Sequence, residues 1–138
     1  MNNNIDLVLF GALGDLSERK LYPALYQLDR AGLLGDSVRI AGLARQDISS
    51  KDFIVTVEES LKKRIPESDW DDATWRRFSR RLSYMTIDFS HKKDFLTLKE
   101  WLVEKRTAIY YLATPPSLYG SICNHLDAAG CVDKLARI

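Results

Sequence analysis

Gly11-Ala12-Leu13-Gly14-Asp15-Leu16 is the stretch of this sequence whose residue types and spacing best suit chemistry, because it joins a short apolar run to the start of a helical pattern. A glycine at the end of a strand permits a tight turn. A second one three residues later, lacking a Cβ, lets backbone N–H groups approach an anion at the positive end of a helix. Such a cradle suits a pyrophosphate. The spacing is GxxG and not GxGxxG, so the same residues also fit a plain glycine turn that packs a strand against a helix. A nucleotide-triphosphate loop is excluded, since GxxxxGK[ST] is absent.

A second candidate group is Arg45 with Gln46, directly after the apolar run Val38 to Ala44. NAD sites place Asp or Glu at the end of the second strand for the ribose 2′-hydroxyl, whereas NADP sites offer an arginine to the 2′-phosphate. Arg45 is a planar cation suited to that dianion, and Asp47 nearby softens the preference. A solvated surface arginine is the other reading of this position. The expected cofactor is NADP.

No residue is expected to be catalytic. His91 and His125 are the only histidines, and both fall on expected helices away from the strand ends where ligands bind, which makes them surface or packing residues. No ligand cluster for a metal is visible, and Cys123 and Cys131 fit neither a metal knuckle nor a redox pair, so both are read as free thiols.

The elements that must position these groups alternate. Strands are expected over Ile5–Phe10, Val38–Ala44, Tyr84–Asp88 and Thr107–Ala113. Between them lie a short helical turn from about Asp15 with a reset at Tyr22-Pro23, and a helix to Ala31 that buries Leu25 and Leu28 and ends at Gly32. A helix capped by Ser49-Ser50 and stopped by Pro66 follows, then one through Trp70, Trp75, Phe78 and Leu82. One more carries Phe95, Leu98 and Leu102, and a last opens at Pro115-Pro116 and ends near Gly130. This order predicts a doubly wound, Rossmann-type α/β fold with a parallel sheet in the order 3-2-1-4. Leu135 to Ile138 reads as the opening of a fifth strand, so the sheet is expected to be truncated after the fourth strand or early in the fifth. Low stability or self-association would follow.

Length and composition agree with one domain over residues 1–138. The chain has 138 residues, 46% hydrophobic and 28% charged, with a net charge of +1, which excludes disorder and gives no reason to expect a nucleic-acid partner. Arg76-Arg77 and Arg80-Arg81 are read as a solvated helix face. The N-terminus lacks a signal-peptide pattern and no apolar run reaches a membrane span, so the expected location is the cytoplasm, with no membrane partner.

Taken together, GALGDL followed by Glu18-Arg19-Lys20-Leu21-Tyr22-Pro23-Ala24-Leu25-Tyr26, Gly42-Leu43-Ala44-Arg45-Gln46, Asp88, and Tyr110-Tyr111-Leu112-Ala113-Thr114-Pro115-Pro116 resembles the coenzyme domain of the glucose-6-phosphate dehydrogenase family. The resemblance spans essentially the whole chain. It implies oxidation of glucose 6-phosphate at C1 to the phosphogluconolactone with hydride passing to NADP, the first step of the oxidative pentose phosphate pathway. It also implies a homo-oligomer when complete.

By that resemblance Gly11, Ala12, Leu13, Gly14, Asp15 and Leu16 line the coenzyme pyrophosphate, and Arg45 with Gln46 meets the 2′-phosphate. Asp88 and Phe89 lie near the adenosine, and Lys20 matches a basic position beside the active-site cleft. Ser17 stands where the family usually has alanine, and Leu13 where many members have Ser or Thr. The family's E-K-P-x-G segment, general-base histidine and substrate domain do not occur in the chain, so it is expected to bind coenzyme without turning over sugar. The alternatives are a stand-alone NADP-binding module and an interaction protein whose aromatic helices around Trp70, Trp75 and Trp101 form a surface.

Overall fold

A computed structural model of the chain describes residues 4–103 and 105–132. Four strands, β1 (Ile5–Phe10), β2 (Val38–Ala44), β3 (Leu82–Thr86) and β4 (Thr107–Leu112), form one sheet in the order β3-β2-β1-β4. Every pairing is parallel, with Leu9 opposite Gly42 on one side and Tyr111 on the other. Helices α1 (Tyr22–Arg30), α2 (Ser50–Arg64), α3 (Asp72–Ser79) and α4 (Phe95–Trp101) connect them, and α5 (Tyr119–Ala128) follows β4. This is the doubly wound α/β architecture the sequence predicts.

Period-two alternation along the strands separates two cores. Leu9, Ile40, Leu82 and Tyr84 face α1, α2 and α3 through Tyr22, Tyr26, Phe53, Leu61 and Phe78. Val8, Phe10, Leu43, Met85 and Tyr110 point the other way, onto Phe95 and Leu98 of α4 and Ile122 and Leu126 of α5. Both faces of the sheet are covered, which is why the strands read as continuous apolar runs.

Several local expectations change. Leu82 opens β3 instead of closing α3, and β3 lies two residues earlier than the expected Tyr84–Asp88. The shift follows from sheet pairing, since Ile40 N–H already donates to the Arg81 carbonyl at 2.8 Å. Leu28 is 41% exposed, and Tyr22, Leu25, Tyr26 and Asp29 form the buried stripe of α1. Gly32, at φ +75°, ends that helix as expected, with Leu33 N–H returning to the Leu28 carbonyl.

The basic run is not a solvated face throughout. Arg77 and Arg81 both reach Asp29, which is 1% exposed, and Arg81 is itself buried. A carboxylate buried in α1 requires such partners. Trp70 and Trp75 pack against the first core, Trp70 stacking on Tyr26 at 5.3 Å, and Trp101 lies under the Arg39 guanidinium. The tryptophans thus serve packing. The fifth strand expected at Leu135 to Ile138 falls outside the described residues, among which no helix is long and apolar enough to cross a membrane.

Candidate functional site

All four strands deliver their carboxyl ends to one cleft of about 640 Å³, within the range of small-molecule sites. Gly11, Leu13 and Gly14 enter it after β1, and Ala44, Arg45 and Gln46 after β2. Asp88, Phe89 and Ser90 follow β3, while Ala113, Thr114, Pro115 and Leu118 follow β4. The position is the crevice outside the strand ends where the chain reverses its direction of travel across the sheet, between β1 and β4.

The glycine turn has two separable roles. Gly11 sits at φ +89°, and a Cβ there would come within 2.4 Å of the Ala113 carbonyl oxygen, so this residue lets β1 leave the sheet beside β4. Its N–H and that of Ala12 both donate to the Leu43 carbonyl. Gly14 has no positive φ, and its Cβ would meet the Gly11 carbonyl oxygen at 3.2 Å, with the Ala113 carbonyl oxygen next at 4.0 Å. The N–H groups of Leu13, Asp15 and Leu16 have no acceptor among the described residues, which leaves donors at the start of the helical segment.

The expected phosphate residues divide accordingly. Gly11, Leu13 and Gly14 line the cleft. Ala12 is fully buried in the first core, and its carbonyl accepts from the Tyr22 hydroxyl at 2.6 Å. Asp15 points outward to an ion pair with Arg19, and the Leu16 side chain is exposed; neither side chain lines the cleft. Ser17 is fully buried and its hydroxyl donates to the Gly11 carbonyl at 3.0 Å, stitching the turn closed, a role that alanine could not fill.

Arg45 and Gln46 are exposed at the cleft rim, and Arg45 makes no hydrogen bond or ion pair among the described residues. Asp88, two residues beyond β3, forms a tight Asx turn, accepting from the Ser90 hydroxyl at 2.6 Å and the Ser90 N–H at 2.9 Å. Those two hydrogen bonds hold its carboxyl below the usual range, with smaller help from the charges of His91 and Arg45. Phe89 packs edge-on against Phe10 at 5.2 Å.

Both histidines lie closer to the strand ends than the sequence suggests. His91 is exposed in the turn after β3, 3.8 Å from Asp88, and His125 approaches the Phe89 carbonyl at 3.1 Å while packing on Phe95. Neither lines the cleft. Lys20 is exposed on a π-helical turn, Ser17–Leu21, that runs into α1 and replaces the expected reset at Tyr22-Pro23. Among the described residues no group of His, Cys, Asp and Glu is placed to hold a metal.

The cleft fits a dinucleotide. Its floor is a turn in which Gly11 is spent on packing and Gly14 leaves room above the chain. Thr114, on the opposite wall, carries a buried hydroxyl that is the sole buried side-chain polar atom without a partner among the described residues. Sequence reading passed over Ser90 and gave Ser17 and Thr114 no role at the site, because small hydroxyl residues carry no spacing signal.

Comparison with known proteins bears on the family and the fold. A family model described as the glucose-6-phosphate dehydrogenase NAD binding domain matches residues 8–138. The glucose-6-phosphate 1-dehydrogenase of Dickeya dadantii is 40% identical over 134 residues, covering 96% of this chain and 27% of its own length, and that of Kluyveromyces lactis is 35% identical over 133 residues, covering 91% and 26%. The crystal structure of the Mycobacterium avium enzyme superposes with a TM-score of 0.89 at 32% identity, over 97% of this chain and 28% of that one. A glucose-6-phosphate dehydrogenase in complex with its substrate superposes at 0.85 with 30% identity, over 96% and 28%. The chain thus spans little more than a quarter of the length of these relatives, and it belongs to the glucose-6-phosphate dehydrogenase family, as its NAD-binding domain.

Proposed function

We propose that the chain holds NADP for a glucose-6-phosphate 1-dehydrogenase, with glucose 6-phosphate as the substrate of the complete cytoplasmic, homo-oligomeric enzyme. The observation that carries the NADP reading is Arg45, exposed at the rim where β2 ends with no hydrogen bond or ion pair among the described residues, in the place an acidic residue occupies in NAD sites. Gly14 and the N–H groups of Leu13, Asp15 and Leu16 would receive the pyrophosphate, Arg45 and Gln46 the 2′-phosphate, and Asp88 and Phe89 the adenosine end. Ala12 would act from the core by holding the turn through Tyr22.

Once bound, the nicotinamide ring supplies the hydride acceptor for sugar C1. Thr114 and Pro115, on the β4 side, would bound the inner part of the cleft and keep water from it. Lys20 would stand at the sugar side on its π-helical turn. Neither histidine lines the cleft, so the proton from the C1 hydroxyl needs a base that these residues do not provide, and this chain alone should bind without turnover.

Titration with NADP and NAD tests the reading. Arg45→Ala should weaken NADP by about 10- to 100-fold, corresponding to ~1.5–3 kcal/mol for hydrogen bonds to a charged group, and leave NAD nearly unchanged. Equal losses for the two nucleotides would refute it.

A further inference from the structure

We infer that Tyr84, assisted by Thr86, is a positioning residue that sets the site's discrimination for a 2′-phosphorylated nucleotide, by clamping the backbone that carries Arg45 and Gln46. The inference rests on the reading of Arg45 given above.

Among the described residues Arg45 has no hydrogen bond or ion pair that would aim its side chain, so its reach is decided by the main chain beneath it. β2 ends at Ala44, and beyond that point the sheet no longer holds this segment through its ladder. What holds it instead is one carbonyl oxygen. The Gln46 carbonyl accepts the Tyr84 hydroxyl at 2.5 Å, the Thr86 hydroxyl at 3.2 Å and the Ile48 N–H at 3.2 Å. The last of these closes a three-residue turn with Asp47 at its apex.

Two of the three donors are side chains of β3, on the same strand face at i and i+2, so the neighbouring strand reaches past the end of β2 to hold the loop. A carbonyl has two lone pairs, and the phenol takes the shortest bond. Tyr84 is a rigid anchor for this purpose. It is 7% exposed, its ring packs on Phe53 at 5.2 Å, and its own N–H and carbonyl are both engaged by the Ser50 hydroxyl in the first turn of α2.

The clamp has an electrostatic consequence. No cis peptide occurs among the described residues, so a Gln46 carbonyl turned toward β3 points the Asp47 N–H the opposite way. Asp47 and Arg45 are both exposed and only two residues apart, one repelling and one attracting a phosphate dianion. Releasing the Gln46 carbonyl lets the apex of the turn move and brings the carboxylate and the guanidinium into competition for the same neighbourhood. A nucleotide without the extra phosphate does not sense that change.

The test uses the whole 138-residue chain and two probes, 2′,5′-ADP and 5′-AMP, with affinities measured by calorimetry for wild type, Tyr84→Phe, Thr86→Val and Arg45→Ala. Tyr84→Phe should lower the ratio of 5′-AMP to 2′,5′-ADP dissociation constants about three- to tenfold with 5′-AMP affinity unchanged, and Thr86→Val should lower it less. An unchanged ratio in Tyr84→Phe, alongside a collapsed ratio in Arg45→Ala, would overturn the role of Tyr84 and leave that of Arg45 standing. Equal losses for both probes in Tyr84→Phe would show a merely structural role and overturn it as well. Absence of any preference in the wild type would sink both readings. If Tyr84→Phe does not fold, Thr86→Val, altered at an exposed position, carries the decision by the direction of its ratio.

Discussion

The Ser60 hydroxyl of α2 donates to the Glu18 carbonyl at 3.3 Å, and Glu18 is the residue whose carbonyl Pro23 leaves without a donor. In the π-helical turn the Tyr22 N–H reaches back five residues to Ser17, so the next donor in that register would be residue 23, which as proline has no N–H. Pro23 is accommodated by widening the helix, and a side chain from 42 residues away supplies the missing hydrogen bond. Ser60→Ala should therefore cost about 1 kcal/mol in urea unfolding, as expected for a partly buried acceptor left unmet. No loss of stability would show that water serves the carbonyl equally well.

Gly11→Ala and Gly14→Ala should separate folding from binding. An alanine at position 11 combines φ +89° with a 2.4 Å approach to the Ala113 carbonyl, so a loss of about 3 kcal/mol or more is expected by denaturant titration. At position 14 the backbone is unstrained and the added methyl meets one carbonyl at 3.2 Å, so stability should change by only ~1 kcal/mol while dinucleotide affinity falls about tenfold. Two variants with the same balance of folding and binding losses would contradict this division.

Acid stability should depend on Asp6. Burial works against its charge, but hydrogen bonds from Arg39 and Arg106 together with their charges outweigh it and hold the carboxyl below its ordinary value of 3.8. A group with a lowered folded-state pKa contributes stability that is present above 3.8 and is lost as pH falls through the folded value. Asp6→Asn should cost ~3 kcal/mol at neutral pH, because two arginines lose a buried partner, and should flatten the decline in Tm as pH falls below 3.8. A variant with an unchanged acid limb would place the pH dependence elsewhere.

Arg81 is the buried member of the pair on Asp29, donating also to the carbonyls of Leu34, Gly35 and Val38. Arg81→Ala should cost about 3–5 kcal/mol by chemical denaturation, since it takes away the two hydrogen bonds that Arg81 gives a buried carboxylate, leaving it only Arg77, and removes a donor from each of three carbonyls. Arg77→Ala, on the exposed side of the same carboxylate, should cost clearly less. The reverse ranking would mean that solvent reaches Asp29 through the Arg81 side.

Much of the fold is legible along the chain, and the reason is local. β1 and β2 occupy the spans read from their apolar runs, because strands covered on both faces leave an unbroken hydrophobic signature. Ser49 caps α2 by accepting from the Asp52 N–H, as its type and position foretell. Where reading went astray, at Leu82 and Leu28, the apolar residue fitted a helical stripe equally well, and only the pairing of Arg81 with Ile40 or the facing of Tyr26 decided its place.

The candidate site divides in the same way. From residue order alone one obtains the glycine turn after a buried strand and an arginine at the next strand's end, because both depend on backbone geometry within a few positions. Which members of the turn face the cleft, that Asp29 gathers arginines 48 and 52 residues away, and that β3 hydroxyls hold the Gln46 carbonyl were settled only by the packed structure. A polar group's partner is chosen by whatever else is buried beside it, and that neighbourhood comes into being when helices and strands distant in sequence are brought together.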